Sequence, residues 1–141
     1  MPNKVLILGD GLLATELAKQ SGYDILSRKK NGFDLTDTDT FYNMTKISQD
    51  AVQSMPYDVI INCIANTDTY SDNKELHWDV NYKGVSDLVD FCNKWKVKLV
   101  HIVTDYIYTN SIENASEEDV PVHCSNWYGY TKLLGDAHVQ L

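Results

Sequence analysis

The sequence has little cysteine, little positive charge and no long apolar run, and each scarcity removes a class of protein. Its three cysteines, Cys63, Cys92 and Cys124, lie far apart and form no C-x-x-C pair. A disulfide-stapled framework is thereby excluded, and the thiols read as reduced and structural. Lysine and arginine number 12 against 20 acidic side chains, a formal net charge of −8, which opposes general affinity for nucleic-acid backbones or anionic membranes. The apolar run Val5-Leu6-Ile7-Leu8 is too short for a signal h-region and far too short to cross a bilayer. A cytoplasmic protein is expected, and the N-x-S/T triplets at Asn43 and Asn114 carry no weight as glycosylation sites. His77, His101, His123 and His138 show no metal-ligand spacing, so no metal is expected. No repeat, low-complexity tract or linker marks a second domain.

What is present suffices for one buried core, since 43% of the 141 residues are hydrophobic. Four short runs rich in β-branched residues, at 5–8, 25–26, 59–64 and 99–103, are separated by longer polar or amphipathic stretches. Leu12, Leu13, Leu17 and Ala18 recur at helical spacing between the first two runs, and Val80, Gly84, Leu88, Phe91 and Trp95 between the last two. This alternation predicts an α/β fold, a doubly wound parallel sheet in three α/β/α layers. Phe41, Met44, Ile47, Ala51 and Val52 predict one more helix with Thr38 or Asp39 near its N-cap. A loop is expected over 110–121, and a last helix from about Trp127 onward.

Gly9-Asp10-Gly11-Leu12-Leu13-Ala14 directly follows the first strand and opens a helix, the placement in which G-x-G-x-x-A holds a dinucleotide. Gly9 permits the tight turn, Gly11 lets the backbone approach a pyrophosphate, and Ala14 allows close helix-to-strand packing. The free N–H groups of the first turn, at Leu12 and Leu13, face the anion. An NAD-selective site places Asp or Glu at the end of the second strand. Here that strand ends Ser27-Arg28-Lys29-Lys30, which holds the chain's only arginine. A hydroxyl beside two or more cations suits the 2′-phosphate of NADP(H), so Ser27, Arg28 and Lys29 are expected to favour NADP(H) over NAD(H). The bland alternative is a solvated basic loop.

Tyr-x-x-x-Lys occurs three times, at Tyr42/Lys46, Tyr70/Lys74 and Tyr128/Lys132, so the bare motif decides nothing. On a helix the pair shares a face, and a lysine beside a phenol favours the phenolate, which equips the tyrosine to protonate a carbonyl oxygen as hydride reaches the carbon. Only Tyr128 follows the fourth strand, whose end, His101-Ile102-Val103-Thr104-Asp105-Tyr106, lies where open α/β sheets bind ligands. Thr104 is then placed to hydrogen-bond the same carbonyl, while Tyr42 and Tyr70 read as surface residues.

With these segments in place, the chain resembles the extended short-chain dehydrogenase/reductases, which are NAD(P)-binding Rossmann proteins, and most closely the dTDP-4-dehydrorhamnose reductases. The likeness runs over all 141 residues. Phe33-Asp34-Leu35-Thr36-Asp37 looks like the adenine-side D-L-T-D element. Residues 58–67, with Ile64, Ala65 and Thr67, look like the P-D-V-I-I-N-x-A-A-x-T strand along the cofactor. Val80-Asn81 resembles the helix asparagine near the active site, 101–108 the segment H-x-S-T-D-Y-V-F, and 126–135 the segment N-x-Y-G-x-[ST]-K-x-x-G-E. The resemblance implies a catalytic Thr104, Tyr128 and Lys132, with Asp105 and Asn81 supporting and Lys132 holding the nicotinamide ribose. It implies hydride transfer from NADPH to the 4-keto group of a nucleotide-linked deoxy sugar, within an NADP-binding domain over residues 1–141.

Related dehydratases carry T-D-E after this strand. Tyr106 stands at the glutamate position, and a phenol is no carboxylate base, which favours reduction. The glycine turn is one residue shorter than the family's G-x-x-G-x-x-G, Cys124 replaces a common proline and Val103 a common serine. Family members also continue into a C-terminal domain that grips the sugar nucleotide. Without it, turnover should be weak and the fourth strand should present an apolar edge to a second chain. Two other readings stay open: a non-catalytic NADP-binding regulatory module, and an epimerase or dehydratase relative.

Overall fold

The computed structural model describes residues 3–47, 53–108, 115–118 and 126–141. The first strand, β1 (Val5–Leu8), carries no polar side chain to turn toward water, and Leu6, Ile7 and Leu8 are each 0% exposed. Such a strand must be covered on both faces. A turn at Gly9 leads into α1 (Leu12–Ser21), which Gly22 ends in the left-handed conformation, and β2 (Asp24–Leu26) returns parallel to β1. A single turn of helix, α2 (Arg28–Asn31), follows, then a 3-10 turn over Thr38–Met44 and two short strands, β3 (Lys46–Ile47) and β4 (Gln53–Ser54), antiparallel to each other. Next come β5 (Val59–Asn62), α3 (Lys74–His77), a π-helical turn over Trp78–Lys83, α4 (Gly84–Trp95) and β6 (Lys98–His101). A 3-10 turn over Asp105–Tyr108 and α5 (Trp127–Gln140) complete the described elements.

The main sheet is parallel, with strand order β2-β1-β5-β6. The crossovers from β1 to β2 and from β5 to β6 run in opposite directions, so right-handed connections place α1 and α4 on opposite faces. This is the Rossmann-like, doubly wound α/β architecture that the alternating pattern predicts. Leu6, Leu8 and Ile60 meet Val85, Leu88 and Cys92 of α4 in the main core, which Phe33, Leu35, Phe41 and Met44 close from one side. Burial pushes the Cys92 thiol up to about 12, as befits an inert core residue.

Four expectations need correction. The helix expected from Phe41 to Val52 is not formed: a 3-10 turn capped by Asp37, whose carboxylate accepts the Asp39 N–H, ends at Met44 and gives way to the β3–β4 pair. Thr38 and Asp39 lie within that turn. Phe41 and Met44 are buried against the main core, so two apolar anchors suffice and helical continuation is not required. Ala51 and Val52 lie outside the described residues, as does most of the loop expected at 110–121. The second strand stops at Leu26 rather than running through the basic cluster, because Ser27 caps α2 by accepting the Lys30 N–H at 3.0 Å. The third stops at Asn62, whose Oδ1 accepts the Ile64 N–H at 3.1 Å and turns the chain; the fourth stops at His101. Among the described residues, no helix is long and apolar enough to cross a membrane, and no group of three His, Cys, Asp or Glu residues is placed to hold a metal ion.

Candidate active site

Strand order reverses between β1 and β5, and a cleft of about 770 Å³ opens at the C-terminal ends of these strands, the place where open α/β sheets bind ligands. Its floor is the glycine turn. Gly9 takes φ +112°, which favours glycine, and a Cβ there would lie 3.4 Å from Cys63 and Ile64 of the neighbouring strand end. Gly11 is the N-cap of α1 and offers no side chain to close the helix, so the first-turn N–H groups face the cleft. A Cβ on Gly11 would meet nothing within 4 Å, so the space above it is open to a ligand. Leu12 is 93% exposed and Leu13 is 48% exposed, both on the cleft wall. Helical spacing alone assigns these two leucines to the core; the structure leaves them bare.

The other residues expected at a cofactor site line the same cleft. Ser27, Arg28 and Lys29 border one end with Asp34 and Leu35; Ile64, Ala65 and Thr67 form the wall after β5; Tyr128 and Lys132 reach it from α5. Phe33, Cys63, Asn66, Leu76, Val80, Ile102 and Val103 also line it; all but Leu76 lie within segments that carry the family resemblance, though none is singled out there as a site residue. The fit to a dinucleotide is supported by an orphan: Asn66 Nδ2 is buried in the cleft wall with no hydrogen-bond partner among the described residues.

Helix α5 is positioned at both ends of its first turns. Asn126 Oδ1 accepts the Gly129 N–H at 2.8 Å, capping the helix. Gly135 packs so closely on the Asn81 carbonyl that no Cβ fits between them. Tyr128 and Lys132, one turn apart, are thereby aimed at the ends of β5 and β6. Lys132 Nζ donates to the Ile102 carbonyl at 2.8 Å with only 3% of the residue exposed. Burial pushes the ammonium down from 10.5 to about 8, opposed by the charges of Asp136 and Cys63. His101, on β6, is pushed down to about 4, first by burial and then by Lys132; its Nδ1 lies 3.2 Å from Asn62 Nδ2. The Cys63 thiol is raised by burial, an effect that Lys132 partly offsets.

Tyr128 packs edge-on against Tyr106 at 5.3 Å between ring centroids, and its ring is tilted against that of His77 at 6.4 Å. His77 and Asn81 are both 0% exposed. Asn81 Oδ1 accepts the Asn66 N–H at 2.8 Å, and its Nδ2 donates to the Asn66 carbonyl at 3.0 Å and to Thr131 Oγ1 at 3.2 Å. The π-helical turn over Trp78–Lys83, which carries Asn81, makes this bridge from the cleft wall to α5. Asn81 thus lies beneath the cleft rather than in it. Thr104 and Asp105 are also outside its lining; Thr104 Oγ1 accepts the Tyr106 N–H at 3.3 Å. Tyr42 and Tyr70 are 55% and 96% exposed, away from the cleft. His123 and Cys124 fall outside the described residues.

Comparison with known proteins gives this geometry a family. The family described as the RmlD substrate binding domain matches residues 3–141. A dTDP-4-dehydrorhamnose reductase of Mycolicibacterium smegmatis is 30% identical over 99% of this chain and 42% of its own length. Two solved structures superpose with a TM-score of 0.78. One is a dTDP-4-dehydrorhamnose reductase from Bacillus anthracis in complex with NADP, 25% identical over 99% of this chain and 50% of that one. The other is a hypothetical dTDP-4-dehydrorhamnose reductase from Sulfolobus tokodaii, 30% identical over 96% and 51%. The chain spans about half the length of the relatives it matches. From the glycine turn to the end of α5, it belongs to the dTDP-4-dehydrorhamnose reductase family.

Proposed function

We propose that the protein binds NADPH in the cleft at the ends of β1 and β5 and reduces the 4-keto group of a nucleotide-linked deoxy sugar. The observation that carries this reading is that Tyr128 and Lys132 of α5 line the same cleft as the glycine turn. NADPH, when bound, supplies the hydride. The first-turn N–H groups at Leu12 and Leu13 hold the pyrophosphate, Asp34 and Leu35 lie along the adenosine, and Ile64, Ala65 and Thr67 along the chain toward the nicotinamide. Lys132 donates to the nicotinamide ribose from its post on Ile102. Tyr128 donates its phenolic proton to the sugar oxygen as the carbonyl carbon becomes a secondary alcohol, with Thr104 as the second hydrogen-bonding group. Asp105 and Asn81 support from outside the lining, Asn81 by joining the Asn66 backbone to Thr131 of α5.

Tyr106 stands against Tyr128 where a dehydratase has a carboxylate, which supports reduction over water elimination. Within this reading one cofactor-binding domain occupies residues 1–141 and works on a soluble substrate in the cytoplasm. The edge of β6, where Val100 is 38% exposed, pairs with a second copy of the chain. The test is to mix the purified protein with NADPH and a dTDP-4-keto-6-deoxy sugar and follow loss of NADPH absorbance together with formation of the reduced sugar. Product formation supports the reading; tight NADPH binding without product would make the protein a binding module.

A further inference from the structure

The acid that is missing from the end of β2 is supplied by the glycine turn. Asp10 Oδ2 accepts a hydrogen bond from Ser27 Oγ at 3.1 Å. Ser27 is 1% exposed and held from both sides: its N–H donates to Asn31 Oδ1 at 3.0 Å, and its Oγ accepts the Lys30 N–H at 3.0 Å. A hydroxyl has one hydrogen, so with its oxygen already accepting from Lys30, that hydrogen is committed to Asp10. Asp10 is itself fixed, since its carbonyl accepts from Thr15 Oγ1 at 3.0 Å and its chain neighbour Gly9 is packed on Ile64. Asp10, Ser27, Arg28 and Lys29 all line the cleft. The end of the cleft that the sequence marks as cationic therefore holds a carboxylate among its cations.

We propose that Asp10 is a specificity-determining residue for the nucleotide, an acceptor for a ribose 2′-hydroxyl and an electrostatic opponent of a 2′-phosphate. This deepens the proposed function and rests on its placement of the nucleotide. A 2′-hydroxyl carries a hydrogen and donates it to the carboxylate. A 2′-phosphate is an acceptor only: it finds the Ser27 hydrogen already engaged and a negative charge beside it. Arg28 and Lys29 still draw the phosphate in, so the protein uses both nucleotides, with a preference for NADPH that Asp10 holds small. The usual acid of an NAD site projects from the end of the second strand; here the same chemistry reaches that place from the turn after the first.

Asp10→Asn removes the charge while keeping an oxygen that accepts from Ser27, and Asp10→Ala removes both. Equilibrium titration of the purified chain and each variant with NADPH and with NADH, which needs no turnover, reads the effect. Asp10→Asn is expected to tighten NADPH about tenfold and to weaken NADH a few-fold, and Asp10→Ala to do the same with a larger loss of NADH. Arg28→Ala moves the ratio the other way. If both nucleotides bind and neither Asp10 variant changes their ratio by more than about twofold, the inference is overturned and the reading of the cleft stands. If neither nucleotide binds the unmodified chain, both fall together.

Discussion

Lys132 donates to the carbonyl oxygen of Ile102 at 2.8 Å, and this one bond joins the helix that carries Tyr128 to the strand end that forms the cleft wall. The bond does two things. It satisfies an ammonium that is almost wholly buried, and it holds that charge one helical turn from Tyr128, where a ribose would lie. Position is set from several sides: the Asn126 side-chain cap, the close approach of Gly135 to the Asn81 carbonyl and the end of β6 each constrain α5.

Tyr128→Phe removes the phenolic proton and leaves the ring packed against Tyr106 and His77. Turnover of the keto sugar is expected to fall by about 10² or more, the usual contribution of a general acid, with NADPH affinity nearly unchanged. Parallel measurement of kcat and of NADPH affinity checks this; a variant that keeps full turnover removes Tyr128 from the chemistry.

Two buried bases set the pH dependence. Lys132 releases its proton at about 8 in the folded chain, against an ordinary 10.5, so the unfolded state binds more protons across that interval. Stability should therefore rise as pH increases from about 8 toward 10.5, while NADPH affinity falls earlier, as pH rises through about 8 and the ammonium is lost. His101 sits at about 4 against an ordinary 6.5. Here too the unfolded state binds more protons between the two values, and stability should fall by about 2–3 kcal/mol as pH drops from 6.5 to 4. Urea melts at stepped pH read both arms, and His101→Gln should flatten the acidic one.

Asn126→Ala deletes the cap of α5 and is expected to cost about 1 kcal/mol. Gly135→Ala is expected to cost more, about 1–3 kcal/mol, because the added methyl is driven onto the Asn81 carbonyl and either α5 or the π-helical turn must shift. Thermal melts of the two variants give the ranking, and equal small losses would show that the α5–Asn81 contact is slack.

Much of this was legible from residue order, for reasons that differ by region. Runs such as Val5 to Leu8 and the glycine turn are local signals, so the parallel sheet and the cleft floor could be placed from spacing. The Tyr128/Lys132 pair could be singled out from its two sequence duplicates only by its position after the fourth strand, and in the fold Tyr42 and Tyr70 are exposed. What local pattern misreads is decided by contacts distant in sequence. Phe41 and Met44 read as a helix face but are held by core contacts in a 3-10 turn. Leu12 has core spacing yet lies bare in the cleft. Asp10 occupies a position that the motif leaves free, and only the approach of Ser27 gives it a role.

The most direct test of the account is calorimetric titration of the purified chain with NADPH, set beside Gly11→Val. A Cβ at Gly11 meets no protein atom within 4 Å and φ there is −70°, so the variant should fold and melt like the parent while filling the space a pyrophosphate needs. One-to-one binding by the parent, weakened by about tenfold or more in Gly11→Val, is the predicted result. Equal binding by both, or none by the parent, would contradict a dinucleotide in this cleft.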